Sequence, residues 1–305
     1  RVTRPRPGHG DLAGMLKYHT DDARNILERA SARETAMRVA VGAVARKFLS
    51  NFGIEIFSHV VQIHDVAIPD LDLSSGEISR IAEKSPVRCA HGPTAKKMME
   101  AIDAGKAAGD SLGGIFEIIA ENVPVGLGSH VHWERRLDGR LAQALMSVPA
   151  IKGVEVGLGR ESGGRPGSLV HDEIYYAHGP EAEALPRYGR LPTAGGFYRK
   201  TNRAGGIEGG MSNGSSIRLR GTMKPIPTLY KPLVSVDYDT WEPVAAGIER
   251  SDICAVPAAA VVGEAVVAWV LAASFLEKFG GDSIGDIEAN YERYLLSLGS
   301  RGKGG

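Results

Sequence analysis

Five short strings, far apart in a chain of 305 residues, combine cations, backbone donors and two titratable groups. They are Arg6-Pro7-Gly8-His9, Arg29 to Thr35, Gly209 to Gly214, Lys224-Pro225-Ile226-Pro227-Thr228 and Arg250-Ser251-Asp252. Each puts a guanidinium, an ammonium or free N–H groups at a turn or helix start, where an anion binds readily. His9 and Asp252 add an imidazole and a carboxylate, groups that move protons. Together they suit the elimination of a phosphate from a small acid.

Every string also has a plainer reading. Ser31 and Glu34 read as a capping box at the start of a helix, with Arg29 and Arg33 at the same end, either around a bound anion or as solvated arginines. His9, on a turn after Arg4 and Arg6, is an acid to a leaving phosphate or an ordinary hydrogen-bonded or solvated side chain. The segment Gly205 to Gly214 is too rich in glycine for a strand and matches neither a P-loop nor a dinucleotide fingerprint. It is backbone that approaches a flat ring or a phosphate, or a surface loop. Lys224 stands on a segment stiffened by Pro225 and Pro227. Asp252 precedes an apolar helix whose dipole favours its charge, as a base or as a cap. His130 and His132 alternate on one strand face beside Trp133 and lack an acidic ligand at metal spacing, so they read as structural and no metal site is expected. His19, His59, His64, His91, His171 and His178 are likewise assigned to structural or exposed positions. No GxSxG, HExxH or EF-hand pattern is present.

The elements that position these residues follow from patterning. Apolar residues make up 43% of the chain, enough for a core in a single domain over 1–305. A helix is expected from Ser31, striped by Met37, Val41, Val44, Ala45, Phe48 and Leu49 and stopped at Gly53. Strands are expected over 54–63, 115–119 and 218–220, with further alternation over 231–238. Helices are expected over 95–108 and 137–148, whereas 70–92 carries little signal and 157–214 reads as loops. The helix over 258–278 is apolar all round but carries Glu264, which favours a protein core over a membrane span. This order lacks a βαβ rhythm and indicates an α+β fold with central helices covered by antiparallel sheets. Thirty-six cationic side chains balance thirty-six acidic ones, so no global field draws nucleic acid or a membrane surface. Cys89 and Cys254 form no CxxC, which fits a reducing cytoplasm. Arg1 to Pro7 contains no apolar run, so no secretory signal is expected there, and the start without Met suggests that preceding residues have been removed.

Eight collinear strings resemble chorismate synthase, in wording most like the actinobacterial form. They are Arg6 to Asp11, Glu28 to Thr35, Gly126 to Ser129, Lys152 to Glu155, His171 to Glu173, Asn202 to Gly206, Met223 to Thr228, and Arg250 through Ala259. The family has alanine where this chain has Gly10. The resemblance implies central helices sandwiched between antiparallel sheets, a cytoplasmic homotetramer, and conversion of 5-enolpyruvylshikimate 3-phosphate to chorismate with reduced FMN, NADPH serving to reduce the flavin in some members. Carried over by motif, His9 acts beside the leaving phosphate, Asp252 accepts the flavin proton, and Arg6 and Arg33 hold substrate anions. Flavin contacts fall on Arg29, Ala30, Ser31, Pro149, Ala150, Gly209, Lys224, Pro225, Ile226, Pro227, Thr228 and Arg250. The family's opening GESHG-type segment, with a second histidine and further arginines, has no counterpart in these residues. The resemblance therefore implies an N-terminally truncated chain, and a flavin- or phosphate-binding module without turnover is the competing reading. An FMN oxidoreductase of another kind is a third.

Overall fold

A computed structural model describes residues 1–177, 187–188, 191–192 and 196–300. Two short helices, α1 (Asp11–Tyr18) and α2 (Arg24–Arg29), and a 3-10 turn over Ala32–Glu34 lead into α3 (Thr35–Ser50). The strands β1 (Glu55–Ile63) and β2 (Val66–Ala67) follow, then α4 (Ser75–Lys84), α5 (Gly92–Ala108), β3 (Gly114–Glu121), α6 (Leu137–Met146) and β4 (Ile151–Val156). After a segment of 3-10 turns and two-residue strands come β5 (Ile217–Met223), β6 (Val234–Val236), β7 (Pro243–Ala245), α7 (Val256–Phe279) and α8 (Ile284–Ser300).

One antiparallel sheet, in the order β2, β1, β3, β5, β4, carries the helices. Alternation along β3 sends Phe116 and Ile118 into the core with Leu219, Leu141 and Phe275, while Ile119 faces the opposite side and packs with Ile78 of α4. The α+β expectation holds. Among the described residues the other β-structure consists of two-stranded ribbons.

Helix α7 has the length and apolarity of a membrane span, yet most of it is buried inside the fold. Its buried acid, Glu264, is met from α3, from β1 and from the loop after α4: Arg46 Nη1 at 2.6 Å, Ser58 Oγ at 2.6 Å and Arg88 Nη2 at 2.9 Å. Helix α3 crosses α7 at Gly42, where a Cβ would lie 2.4 Å from Ala265 Cβ and 2.5 Å from its Cα. That crossing explains a departure from the expected stripe. Ala45 and Leu49 turn into the core, whereas Met37 is 69% exposed and Val41 and Val44 are exposed with it. α7 covers only one side of the stripe, and the other side borders a groove of about 400 Å³ lined by Met37, Val41, Ala265, Val266 and Trp269.

Local expectations are corrected at several points. Ser31 does not open a capping box: its hydroxyl accepts from Arg33 N, and Glu34 turns instead to Arg38 Nε at 2.9 Å. The reciprocal box lies at Ser74 and Glu77, at the head of α4, inside the stretch that had shown little signal. His130 and His132 lie on an exposed bend rather than a strand, and only Val234–Val236 of the 231–238 alternation forms a strand. Within the glycine-rich segment, Ile207–Glu208 and Met211–Ser212 pair as a hairpin. Its turn residues Gly209 and Gly210 have φ of 59° and 82°, the double left-handed conformation that a tight hairpin demands. His178 lies outside the described residues.

Candidate active site

The site grows from the extended chain ahead of α1. Backbone bonds tie it down on two sides: Ala23 N donates to Val2 O at 2.9 Å and Tyr238 N to Thr3 O at 2.9 Å. Ser235 Oγ donates to Pro5 O. Arg6 to Asp11 is thereby fixed against the Lys224–Thr228 segment, which is anchored from behind by Ser111 Oγ on Ile226 O at 2.6 Å. The stretch before α7 joins through Ser251 Oγ, which donates to Thr228 O at 3.3 Å. Leu112 N donates to Ile253 O at 2.7 Å and extends the same anchorage.

At the centre lies a group that the sequence reading had not singled out. Asp11 is the first residue of α1, and its side chain is 1% exposed. Its Oδ1 lies 2.6 Å from His9 Nδ1, and its Oδ2 accepts from Arg6 Nε at 2.9 Å and from Arg6 N at 3.1 Å. Arg6, 9% exposed, also reaches the Thr228 hydroxyl with Nη1 at 3.3 Å. Burial on its own would raise the Asp11 carboxyl, but the hydrogen bonds from His9 and Arg6 outweigh it and hold the group far below the usual carboxylate range. Arg6 is thus directed inward to Asp11 and Thr228, while the ring of His9 is half-buried. His9 is hydrogen-bonded to a buried acid, and this excludes the plain solvated reading.

The facing edge is held by backbone bonds and stiffened by two prolines. Lys224 Nζ donates to Gly8 O, and Lys224 N donates to Ala150 O at 3.0 Å. Ala150 holds the left-handed conformation at φ 68°, which an alanine adopts only under constraint from its surroundings. Gly8 also has positive φ, and a Cβ there would sit 3.5 Å from Lys224 Nζ and 3.7 Å from Pro227 Cβ, in the space that the backbone leaves open. Pro225 is exposed and Ile226 and Pro227 are half-buried, with no N–H at either proline.

The other expected site residues lie apart from this cluster. Arg29, Ala30 and Arg33 are exposed, Arg33 Nη2 lies 3.6 Å from Glu28, and Ser31 caps only the 3-10 turn. Gly209 belongs to the hairpin beside Met211, and the adjoining Gly210 closes on Ser129 and Arg136. Arg250 and Asp252 are exposed. Asp252 is not a helix cap, because the cap of α7 is Ala255 and no side chain bonds there. Its neighbour Ser251 donates to Thr228 O at 3.3 Å and so ties this stretch to the segment that Arg6 reaches. Gly10 has φ −77° and ψ −1°, with 3.9 Å to the nearest atom that a Cβ would meet, so the alanine usual at this position would fit equally well.

The family model described as chorismate synthase matches residues 1–276. A chorismate synthase of Brevibacillus brevis is 56% identical over 294 residues, 96% of this chain and 72% of that protein. One from Geobacter metallireducens is 56% identical over 306 residues, covering 98% and 74%. A crystal structure of a chorismate synthase superposes with a TM-score of 0.78 at 44% identity, over 95% of this chain and 77% of the other. The family pattern spans the Arg6–Asp11 and Lys224–Thr228 segments, and with the identity and the structural likeness over nearly the whole chain it places the chain in the chorismate synthase family.

Proposed function

We propose that this chain carries out the chorismate synthase reaction, the 1,4-elimination of phosphate from 5-enolpyruvylshikimate 3-phosphate to give chorismate, with reduced FMN as cofactor. The observation that supports it most is the His9–Asp11–Arg6 cluster, set against Lys224 and Thr228 in a chain of this family. Reduced FMN, when bound, supplies an electron transiently and takes up the departing hydrogen, so the overall reaction is redox-neutral.

The residues fit that cofactor along one edge. Gly8 leaves an open cradle, Lys224 carries a fixed positive charge, and Ala150 with Pro225 to Thr228 offers a stiff, largely apolar border to a flat ring. Pro149 precedes Ala150 on the same edge. Arg29, Ala30, Ser31, Gly209 and Arg250 are the remaining flavin contacts proposed by motif, and Arg33 and Arg6 those proposed for substrate. His9 gives a proton to the leaving phosphate oxygen, and the carboxylate of Asp252 receives one on the other side of the reaction. The cations at this edge neutralise phosphate charge, the kind of electrostatic stabilisation that lowers such barriers most. Assembly as a cytoplasmic homotetramer is part of the same proposal, supported by the exposed apolar face of Met37, Val41, Val44 and Trp269.

His9→Gln, assayed for chorismate under anaerobic conditions with reduced FMN, tests the assignment. Loss of a general acid lowers turnover by about 10²–10⁴-fold while flavin affinity holds. Turnover equal to that of the unmutated chain would remove His9 from the chemistry.

A further inference from the structure

We infer that a small polar pocket, separate from the His9 cluster, binds the anionic head of a phosphorylated or carboxylated molecule through Lys200 and Arg203.

Two of the strings that carry the family resemblance, His171 to Glu173 and Asn202 to Gly206, have no part in the proposed chemistry, and the fold brings them together. Asp172 joins them. Its Oδ1 accepts from Thr201 Oγ1 at 2.5 Å and from Arg203 N at 2.9 Å, and its Oδ2 accepts from Ala204 N at 2.9 Å. Leu158 N donates to Arg203 O at 2.9 Å, so the backbone of Arg203 is held at both its N–H and its carbonyl. His171 is held as well. Its N donates to Gly167 O at 3.0 Å, and a Cβ at Gly167 would lie 3.6 Å from its Nε2, so the imidazole packs against that glycine. Between these strings lies a cavity of about 230 Å³, lined by Ser168, His171, Glu173, Tyr175, Lys200 and Arg203 among others. Sites for drug-sized ligands span about 300–1,000 Å³, so this one takes a small molecule or a single head group.

The charges in the pocket are arranged for an anion. Lys200 Nζ stands 4.3 Å above the centre of the Tyr175 ring, which is itself stacked on Tyr198 at 5.5 Å. A ring face holds an ammonium without taking up its N–H donors, and these are left for a ligand. Among the described residues neither Lys200 nor Arg203 is in an ion pair, whereas the neighbouring Arg199 spends Nε and Nη2 on Glu208, at 2.9 Å and 2.6 Å. Asp172 does not neutralise the Arg203 side chain, since its oxygens are taken by Thr201 and two backbone N–H groups. The one acid in the lining, Glu173, accepts from the Tyr175 hydroxyl at Oε2. Two permanent cations thus face one carboxylate, and His171 adds a ring nitrogen. A ligand that joins a phosphate or carboxylate to a hydroxyl or ammonium group answers both signs: its oxyanion meets Lys200 and Arg203 in charge-assisted bonds, and its donor meets Glu173 Oε1. None of the lining residues belongs to the His9–Lys224 cluster.

Titration of the unmutated chain, labelled with ¹³C at histidine Cε1, tests the proposal. The probes are inorganic phosphate and malonate, added at constant pH and constant ionic strength in exchange for chloride, and the His171 signal is assigned by its loss in His171→Gln. A saturable shift of that signal is expected. Saturation with phosphate alone makes the bound group a phosphate, saturation with malonate alone makes it a carboxylate, and saturation with both makes the site one for either. In Lys200→Gln and in Arg203→Gln the apparent Kd should rise by about 10-fold or more, the loss expected for one charge-assisted hydrogen bond, while the response of the His9 signal to the same probe stays as it was. A shift that grows without saturating, or the absence of any shift with both probes, overturns the proposal. Unchanged affinity in both variants overturns it as well.

Discussion

Acid should weaken this fold through Glu117 in particular. Its side chain is 7% exposed on β3, in register with His59 on β1 and Arg220 on β5. His59 Nε2 lies 3.2 Å away, Arg218 Nη1 3.1 Å and Arg220 Nε 3.1 Å. Burial alone would raise the carboxyl, but the hydrogen bond to His59 and the charges of Arg218 and Arg220 outweigh it and bring the pKa down to about 2 from the ordinary 4.5. A folded-state pKa below the unfolded one contributes stability above the unfolded value and loses it as the pH falls toward the folded value. At 1.36 kcal/mol per unit, the shift corresponds to roughly 3 kcal/mol, present above pH 5 and gone near pH 2. Glu117→Gln keeps the shape and removes the charge. Urea denaturation followed by tryptophan fluorescence, at intervals from pH 7 to pH 2, should show the variant less stable by about 3 kcal/mol at neutral pH and converging on the parent in acid. A gap that stays constant across this range would refute the reasoning.

Gly42→Ala should destabilise, although alanine favours a helix over glycine by about 1 kcal/mol, because the new methyl meets the Ala265 backbone and overpacking costs about 1–3 kcal/mol. A thermal melt with unchanged or raised Tm would show that the helices part without cost. Glu264→Leu should leave Arg88 Nη2 and the buried Ser58 hydroxyl without their acceptor, Arg88 keeping its pair with Glu83, at a cost of about 1–3 kcal/mol, and chemical denaturation with no loss would show that the freed donors find other partners. Asp252→Asn should leave stability within about 0.5 kcal/mol, since this exposed side chain caps nothing, while turnover falls by about 10²–10⁴-fold. Full turnover in that variant would end the role of Asp252 as proton acceptor.

Long periodic elements were legible in the sequence because burial imposes their spacing. Leu137, Leu141 and Leu145 announce α6, and the all-apolar run of α7 announces a helix enclosed by others. What the sequence obscured depends on side-chain direction and on neighbours distant in the chain. Met37, Val41 and Val44 share a stripe with Leu49, yet only one side of that stripe meets α7, a matter of how two helices cross at Gly42. Gly209 and Gly210 suggested backbone approach to a ligand, whereas the two-residue hairpin turn that they also form was hidden among so many glycines. Asp11 escaped notice beside His9 because a His-Gly-Asp spacing does not reveal that the first turn of α1 aims the carboxylate back at the imidazole. Ser74 and Glu77 carried a readable capping signal in a stretch whose composition concealed it.

The most direct test of the central claim is a count of products against flavin. The chain is mixed anaerobically with reduced FMN and 5-enolpyruvylshikimate 3-phosphate, and chorismate, inorganic phosphate and flavin redox state are measured over many turnovers. Equal amounts of chorismate and phosphate, in excess of the flavin and with the flavin still reduced at the end, are the predicted result. Flavin binding without phosphate release, or one oxidised flavin for each product formed, would contradict the account.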